Sequence, residues 1–406
     1  MKSKNVKYWI WLSKALGFGS TKIKALYELY RDITVFCDGG EKEWQFSGLF
    51  TDTELRHLSN IKQDAADGII SRCDELGYSI LPIDDDAYPK CLRSIPNPPA
   101  VLYVWGSLPD VDKSDTIGIV GTRTASNYGL KNSYSFGYAL AKYKFIVVSG
   151  GALGVDCASH RGVLASNGVT VCVRGCGINY PYLMDNAAMR EAITQKGAVI
   201  SEYPPDTPPY PYQFPARNRI IAALSDGVLI IESGKKSGSL ITANYALDMG
   251  KQLFALLGNN SPENEGSNER IKSGAAKPVT DFLDIVVALR KTPDEQQDEE
   301  DIPLDEVEKI PVKSKVRRIK PEKSVKKKDK GSSKQEVLSK KPVHKEITGF
   351  SQDAETVYKY LSDTPVSIDK ISQDTGLPVN KIISSLTQLE IYDLIVSKGN
   401  RRFALK

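Results

Sequence analysis

Short apolar, mostly β-branched runs recur along the middle of the chain with helical patterns between them, and that order limits the folds open to it. The runs fall at 101–105, 116–120, 145–149, 169–173, 198–201, 227–231 and 253–257. Helical spacing occupies 129–143, 156–167, 183–196, 217–224 and 239–250. A run such as Thr116-Ile-Gly-Ile-Val120 does not alternate apolar with polar residues, so the strand it forms must be covered on both faces. Strand, helix, strand order with doubly covered strands predicts an α/β domain over 79–290. Its sheet is expected to be extended, Rossmann-like, doubly wound and mostly parallel.

The flanks obey other patterns. Residues 1–78 show helical spacing around Trp9, Leu12, Leu16, Ile23, Leu26 and Leu29, and again over 55–76, which predicts a small helical domain of SAM or helix-hairpin-helix type. Leu16-Gly17-Phe18-Gly19 ahead of Ile23 reads as one hairpin turn. Its glycines either aim backbone amides at a phosphate or serve packing alone, and no basic cluster accompanies them. Between 291 and 349 aromatic residues vanish and charge separates into blocks. Nine carboxylates stand at 294–308 without a basic residue, and fifteen Lys/Arg at 309–345 face only Glu322, Asp329 and Glu336. Such blocks bury too little apolar surface to offset the entropy of ordering, so a charged flexible linker is expected. Residues 350–406 carry helical patterns at 353–361, 367–374 and 378–389. Two short apolar runs then flank Gly399-Asn400, a two-residue hairpin turn. Three helices and a terminal hairpin predict a winged helix.

Composition narrows the function. No run approaches the roughly 18 apolar residues of a membrane span, and Ser13 and Lys14 cut the first apolar stretch too short for a signal peptide. A cytoplasmic protein without membrane contact is expected, in keeping with six dispersed cysteines, at 37, 73, 91, 157, 172 and 176. Three histidines, at 57, 160 and 344, exclude an HExxH zinc site. Net charge is +4, yet residues 1–290 hold 31 Lys/Arg against 30 Asp/Glu. An anion site in the sheet domain must therefore be a local patch.

In a doubly wound sheet ligands sit beyond the carboxyl ends of the strands, and four loops there have the chemistry to grip phosphates. After 116–120 comes Gly121-Thr122-Arg123, where a tight turn, free helical amides and a guanidinium converge. After 145–149 comes Gly150-Gly151, whose missing β-carbons let a ligand approach the backbone. Phe214-Pro-Ala-Arg217-Asn218-Arg219 sets an aromatic face beside two arginines, as single-stranded nucleic acid requires. Lys235-Lys236-Ser237-Gly238-Ser239 opens a helix with lysines, hydroxyls and glycine. Together they predict a groove for several phosphates. The loops lack GxGxxG, GxxxxGK[ST] and GxSxG motifs. Asp156 reads as a helix cap and His160 as a packed or exposed residue. No catalytic residue, metal or cofactor is expected.

In order and spacing, several segments resemble the DNA processing protein A family, also called DprA or Smf. They are Gly118-Ile-Val-Gly-Thr-Arg123, Ser149-Gly-Gly-Ala-Leu-Gly-Val-Asp156, Ser201-Glu-Tyr-Pro204, Phe214-Pro-Ala-Arg-Asn-Arg219, Ser237-Gly-Ser-Leu-Ile-Thr242 and Gly266-Ser-Asn268. The resemblance implies a non-catalytic protein that binds and protects incoming single-stranded DNA. It also implies a homodimer formed through the Rossmann-like domain and loading of the RecA recombinase in natural transformation. It assigns Arg123 to phosphate, Phe214 to base stacking, Gly150, Gly151 and Ser237 to Ser239 to the DNA backbone, and Arg217 and Asn218 to the pocket lining. Some members carry a basic residue three positions before the Phe; here Pro211 stands there, and Lys235 or Lys236 is expected to compensate. In the winged helix, Lys381, Lys398, Arg401 and Arg402 are candidates for duplex DNA or protein contact. Two alternatives come from other classes. One is a nucleotide-processing enzyme related to the phosphoribohydrolases, although 232–239 lack the glutamate spacing of PGGxGTxxE. The other is a regulatory protein acting through its winged helix.

Overall fold

The computed structural model describes residues 5–290, 310–311, 352–362, 364–391, 394–397 and 402–405. They fall into two compact units, Met1–Arg318 and Ile319–Lys406.

Among the described residues the first unit opens with helices α1 (Val6–Leu16), α2 (Lys22–Leu29), α3 (Ile33–Asp38), α4 (Gly40–Phe46), α5 (Asp52–Asn60) and α6 (Asp67–Leu76). Helix α1 buries Trp9, Ile10, Trp11 and Leu12 and stops where Gly17 takes φ +84°, a conformation that a side chain would resist. Helix α5 starts at a reciprocal capping box between Thr51 and Glu54. Next come β1 (Ser79–Pro82), α7 (Lys90–Arg93), β2 (Val101–Gly106), β3 (Thr116–Val120), α8 (Asn127–Lys142), β4 (Ile146–Ser149), α9 (Val155–Ala165) and β5 (Thr170–Arg174). The unit continues through α10 (Ala187–Ile193), β6 (Ala198–Ser201), α11 (Gln213–Ala223), β7 (Gly227–Ile230), α12 (Ser239–Asp248) and β8 (Gln252–Leu256). It closes with α13 (Glu265–Lys272), β9 (Lys277–Val279) and α14 (Leu283–Leu289).

These strands form one sheet in the order β1-β2-β6-β5-β4-β3-β7-β8-β9. From β6 to β9 every pairing is parallel, while β1 and β2 join antiparallel at one edge. The seven expected runs are all strands, with ends shifted by no more than one residue. Two edge strands escaped the sequence pattern: β1 is short and half exposed, and β9 holds three residues, one of them Pro278. Neighbouring residues of one strand feed two different apolar clusters, as a doubly covered sheet demands. Ile117, Ile119, Val147, Leu229 and Phe254 meet Phe136 and Leu140 of α8 and Ile285 and Val286 of α14. Val148, Val228, Ile230, Leu253 and Ala255 belong with Ile220 and Ile221 of α11 and Ala243 and Ala246 of α12. The tryptophans of α1 share this second cluster, so the helical front and the sheet have one continuous core.

A buried ion pair reinforces that junction. Arg219 and Glu202 are 1% and 3% exposed, and Arg219 Nη2 donates to Glu202 Oε1 at 2.7 Å. The same oxygen accepts from the Gly19 amide at 3.1 Å, and Arg219 Nε donates to the Asn97 carbonyl at 3.0 Å. Phe18 meets Tyr203 edge-on at 4.8 Å. The glycine turn of the hairpin therefore aims an amide at an internal carboxylate, and packing is its role. Arg219, read from sequence as a nucleic-acid contact, is instead sealed inside, because a guanidinium on that side of α11 points into this junction.

The linker expected at 291–349 lies outside the described residues except for Ile310 and Pro311. Ile310 is buried in the second cluster, and the Pro311 carbonyl accepts from the Gly154 amide at 3.0 Å.

In the second unit α15 (Gln352–Tyr360), α16 (Ile368–Thr375) and α17 (Val379–Ile391) pack through Val357, Leu361, Ile371, Ile382, Leu386 and Leu389. A three-stranded antiparallel sheet of β10 (Val366–Ser367), β11 (Ile395–Ser397) and β12 (Arg402–Leu405) completes a winged helix, with β12 in the middle. Helix α16 ends at Gly376 with φ +70°, as the turn signal required. The strand β10 has two residues and left no trace in the sequence pattern. No helix among the described residues is long and apolar enough to cross a membrane.

Replacing Glu202 with Ala leaves the Arg219 charge buried without its partner. The change is expected to lower the unfolding free energy by about 3–5 kcal/mol, read from urea titrations. A loss below about 1 kcal/mol would show that the pair does not hold the junction.

Candidate nucleic-acid interface

The winding of the sheet reverses between β3 and β7, where a doubly wound fold usually offers its ligand crevice. Here the protein fills that place itself. Glu232, two residues after β7, is buried, and its carboxylate accepts from the Ser126 amide at 3.1 Å and the Ser126 hydroxyl at 2.5 Å. Ser126 caps α8 by accepting from the Gly129 amide at 3.1 Å. The Thr122 amide donates to the Glu232 carbonyl at 2.8 Å. Gly121 lies so close to Val155 that a β-carbon would come within 2.6 Å of its Cγ2. Gly121 and Thr122 thus face internal partners, and the start of α8, read as an anion site, already holds a carboxylate. Only Arg123, exposed at the end of this loop, is left to reach a ligand.

The cavity opens one step along the sheet, beyond the ends of β4 and β5. It brings together Arg123, Gly150, Gly151, Phe214 and Arg217 from the expected set. Arg217 is buried in the first turns of α11, and its Nη1 donates to the carbonyls of Gly150, at 2.9 Å, and Val173. Gly150 is obligatory: a β-carbon there would sit 2.5 Å from Arg217 Nη1 and 2.7 Å from Asp156 Oδ2. Gly151 adopts φ +63°, and a β-carbon would strike Cys172 Sγ. At the mouth, the Arg123 guanidinium lies over the Phe214 ring at 5.5 Å. Tyr182 leans on the same ring at 5.5 Å between centroids, with 44° between planes.

Two neighbours behave as structural groups. Asp156 lies inside the first turn of α9, whose N-cap is Gly154, so it is no helix cap. Its Oδ2 accepts from the Ala152 amide at 3.4 Å. Burial raises its pKa, against the pull of Arg217 and Arg123. His160 is fully buried, with Nδ1 2.8 Å from the Thr170 hydroxyl. Desolvation, aided by the Arg217 charge, lowers its pKa to about 3.

The fourth expected loop lies beside this cavity and does not line it. Asn218 Nδ2 donates to the Gly238 carbonyl at 3.3 Å, which ties α11 to the start of α12. Ser239 Oγ is 2.7 Å from Ser237 Oγ and 2.9 Å from Ser233 Oγ, so the hydroxyls satisfy one another. Gly238 has open space where a β-carbon would stand. Lys235 pairs with Glu265 at 3.3 Å, and Lys236 is exposed. Sequence reasoning passed over Arg174, Arg190 and Tyr182, all of which line the cavity. The signal was present: Gly175-Cys176-Gly177 follows Arg174, the last residue of β5, with the same glycine-rich grammar as the other loops. In the winged helix Lys381 pairs with Asp353 at 3.0 Å and Arg402 is exposed. Lys398 and Arg401 lie outside the described residues.

Residues 79–290 match the sequence family described as DNA recombination-mediator protein A, and residues 342–400 match the DprA winged helix domain. Protein Smf of Synechocystis sp. is 33% identical over 328 residues, which cover 79% of this chain and 78% of that protein. The DNA processing protein DprA of Bacillus subtilis is 35% identical over 215 residues, covering 53% of this chain and 72% of that one. The X-ray structure of DNA processing protein A from Streptococcus pneumoniae superposes with a TM-score of 0.62 at 28% identity. The match covers 72% of this chain and all of that one.

The buried His160 gives a pH test of the packing between α9 and β5. Its folded pKa of about 3 lies below the ordinary 6.5, so between those values the unfolded chain binds a proton that the folded chain refuses. Its contribution to stability is complete above pH 6.5 and falls on acidification by up to about 1.4 kcal/mol per pH unit. Urea titrations across pH 7 to 4 are expected to show His160→Asn with a correspondingly shallower decline. Equal slopes in both proteins would exclude His160 as the titrating group.

Proposed function

The chain belongs to the DNA recombination-mediator protein A family, also named DprA or Smf, and from that membership we propose that it binds single-stranded DNA at the Arg123–Phe214 cavity, protects the incoming strand and loads the RecA recombinase onto it. One observation carries the reading: an exposed arginine over an aromatic ring at the mouth of a cavity that Gly150 and Gly151 help to line. A base takes the face of Phe214 and the guanidinium of Arg123 turns to the adjoining phosphate. The backbone then runs past Gly150 and Gly151 toward Lys236 and the Ser237 to Ser239 turn. Affinity of this kind depends on salt and tolerates any base, since every base has a stackable face. Natural transformation is the setting in which such a protein acts on strands that enter a cell.

We read the chain as a non-catalytic member of this family. The groups that an enzymatic reading would use are committed elsewhere, with Glu232 on Ser126, His160 on Thr170 and Asp156 inside α9. The homodimer belongs to the same proposal. Helix α14, beside the β9 edge, exposes Leu283 and 85% of Val287, an apolar surface available to a second copy. Light scattering of Val287→Glu is expected to give a monomer; an unchanged mass would move the contact elsewhere.

Fluorescence anisotropy with labelled single strands tests the groove. Phe214→Ala is expected to weaken binding by about 1–3 kcal/mol. Arg123→Ala is expected to weaken binding and reduce the salt slope by about one phosphate contact. Unchanged affinity in both variants at moderate salt would sink the proposal.

A further inference from the structure

The inner end of the cavity holds more positive charge than a passing DNA backbone can use. Arg174, at the end of β5, is 5% exposed, and Arg190, in α10, is 6% exposed. Arg174 Nη2 donates to the Tyr180 carbonyl at 3.0 Å and to Cys176 Sγ at 3.1 Å, while its buried Nε has no partner. Arg190 Nη1 donates to the Leu183 carbonyl at 3.0 Å. Neither forms an ion pair among the described residues. A buried guanidinium without a counter-charge is costly, and two that repel each other are more so. Arg217, also lining the cavity, has the Asp156 carboxylate beside it, and its Nε too is unpartnered. The backbone is strained here as well. Leu183 takes φ +52°, a left-handed conformation unfavourable for a leucine, and the carbonyl of this residue is the one that holds Arg190.

Resting on the groove described above, we propose that Arg174 and Arg190 form a subsite for a terminal phosphate monoester, carried by the end of a DNA strand or by a free nucleotide. A monoester brings a charge of about −1.5 to −2 at pH 7 and three acceptor oxygens, enough to answer two guanidiniums that now have carbonyls and a thiol for company. A diester brings one charge and two sugars, and cannot follow the arginines to their buried depth while the strand continues on both sides. Burial, and after it the neighbouring Arg174, lowers the pKa of Arg190, a repulsion that a bound dianion would relieve. With the phosphate between Arg174 and Arg190, the attached nucleoside lies toward Tyr182 and Phe214 at the mouth.

The test uses the full chain and thymidine oligonucleotides of one length ending in 5′-hydroxyl, 5′-phosphate or 3′-phosphate, each competing with a labelled strand. Thermal midpoints are read in parallel with thymidine and thymidine 5′-monophosphate. A phosphate-ended strand is expected to compete about tenfold better than the hydroxyl-ended one, the worth of one charge-assisted contact. In Arg174→Met and Arg190→Met that ratio is expected to fall to about one, with thermal midpoints that match or exceed the parent because a buried charge has gone. A midpoint raised by the monophosphate and not by thymidine, without an end preference, assigns the subsite to free nucleotides and supports it equally. Equal competition by all three strands together with no monophosphate effect overturns the subsite, even if the variants do not fold. Since hydroxyl-ended binding is measured in the same titration, that result leaves the single-strand reading standing. Failure of every strand alongside monophosphate stabilisation would reject the single-strand reading and keep the subsite.

Discussion

Arg217 donates from the first turns of α11 to the carbonyls at the ends of two adjacent strands, and the geometry of the cavity follows from that grip. Strand ends leave carbonyls without partners, and in most doubly wound folds water or a ligand answers them. Here a side chain does so, which fixes the distance between the β4 loop and α11 and sets Phe214, three residues earlier, over the gap. Gly150 must be a glycine because the guanidinium passes where its β-carbon would be. The acidic neighbour that makes Arg217 tolerable, Asp156, is itself buried and held by a backbone amide.

Glu232 explains why the cavity is displaced from the reversal of the sheet. A carboxylate at a helix start satisfies the same amides that a phosphate would, and a covalently attached one is present at far higher effective concentration than any solute. The crevice between β3 and β7 is thereby closed to anions, and the open strand ends move toward β4 and β5. Lack of a β-carbon at Gly129 leaves room for that carboxylate.

The sheet was legible in the sequence because its strands are buried on both faces, which writes them as unbroken apolar runs. Strands β1, β9 and β10 were not, since two to four residues at an edge carry too little pattern to separate from loop. The site was legible in part for a different reason. Arg217 and Arg219 stand in the same short motif and look alike on paper. Two residues along a helix is a turn of about 200°, so one guanidinium faces the cavity and the other faces the helical front. Nothing in the motif says which, because the partner, Glu202, lies on a separate loop after β6. Arg174 was missed by the opposite error: the glycines of the other loops drew attention to turns, while here the charged residue is the last of its strand.

That opposition of Arg217 and Arg219 across one helix makes α11 a shared beam. Its one side bears on the DNA-facing cavity, and its other side bears on Glu202 and, through the Gly19 amide, on the turn between α1 and α2. A load on either side is felt by the other within a single rigid element three turns long. The helical front is accordingly less an appended module than an abutment, and exchanging it for another small helical domain would leave the cavity's own supporting helix with one side unbraced.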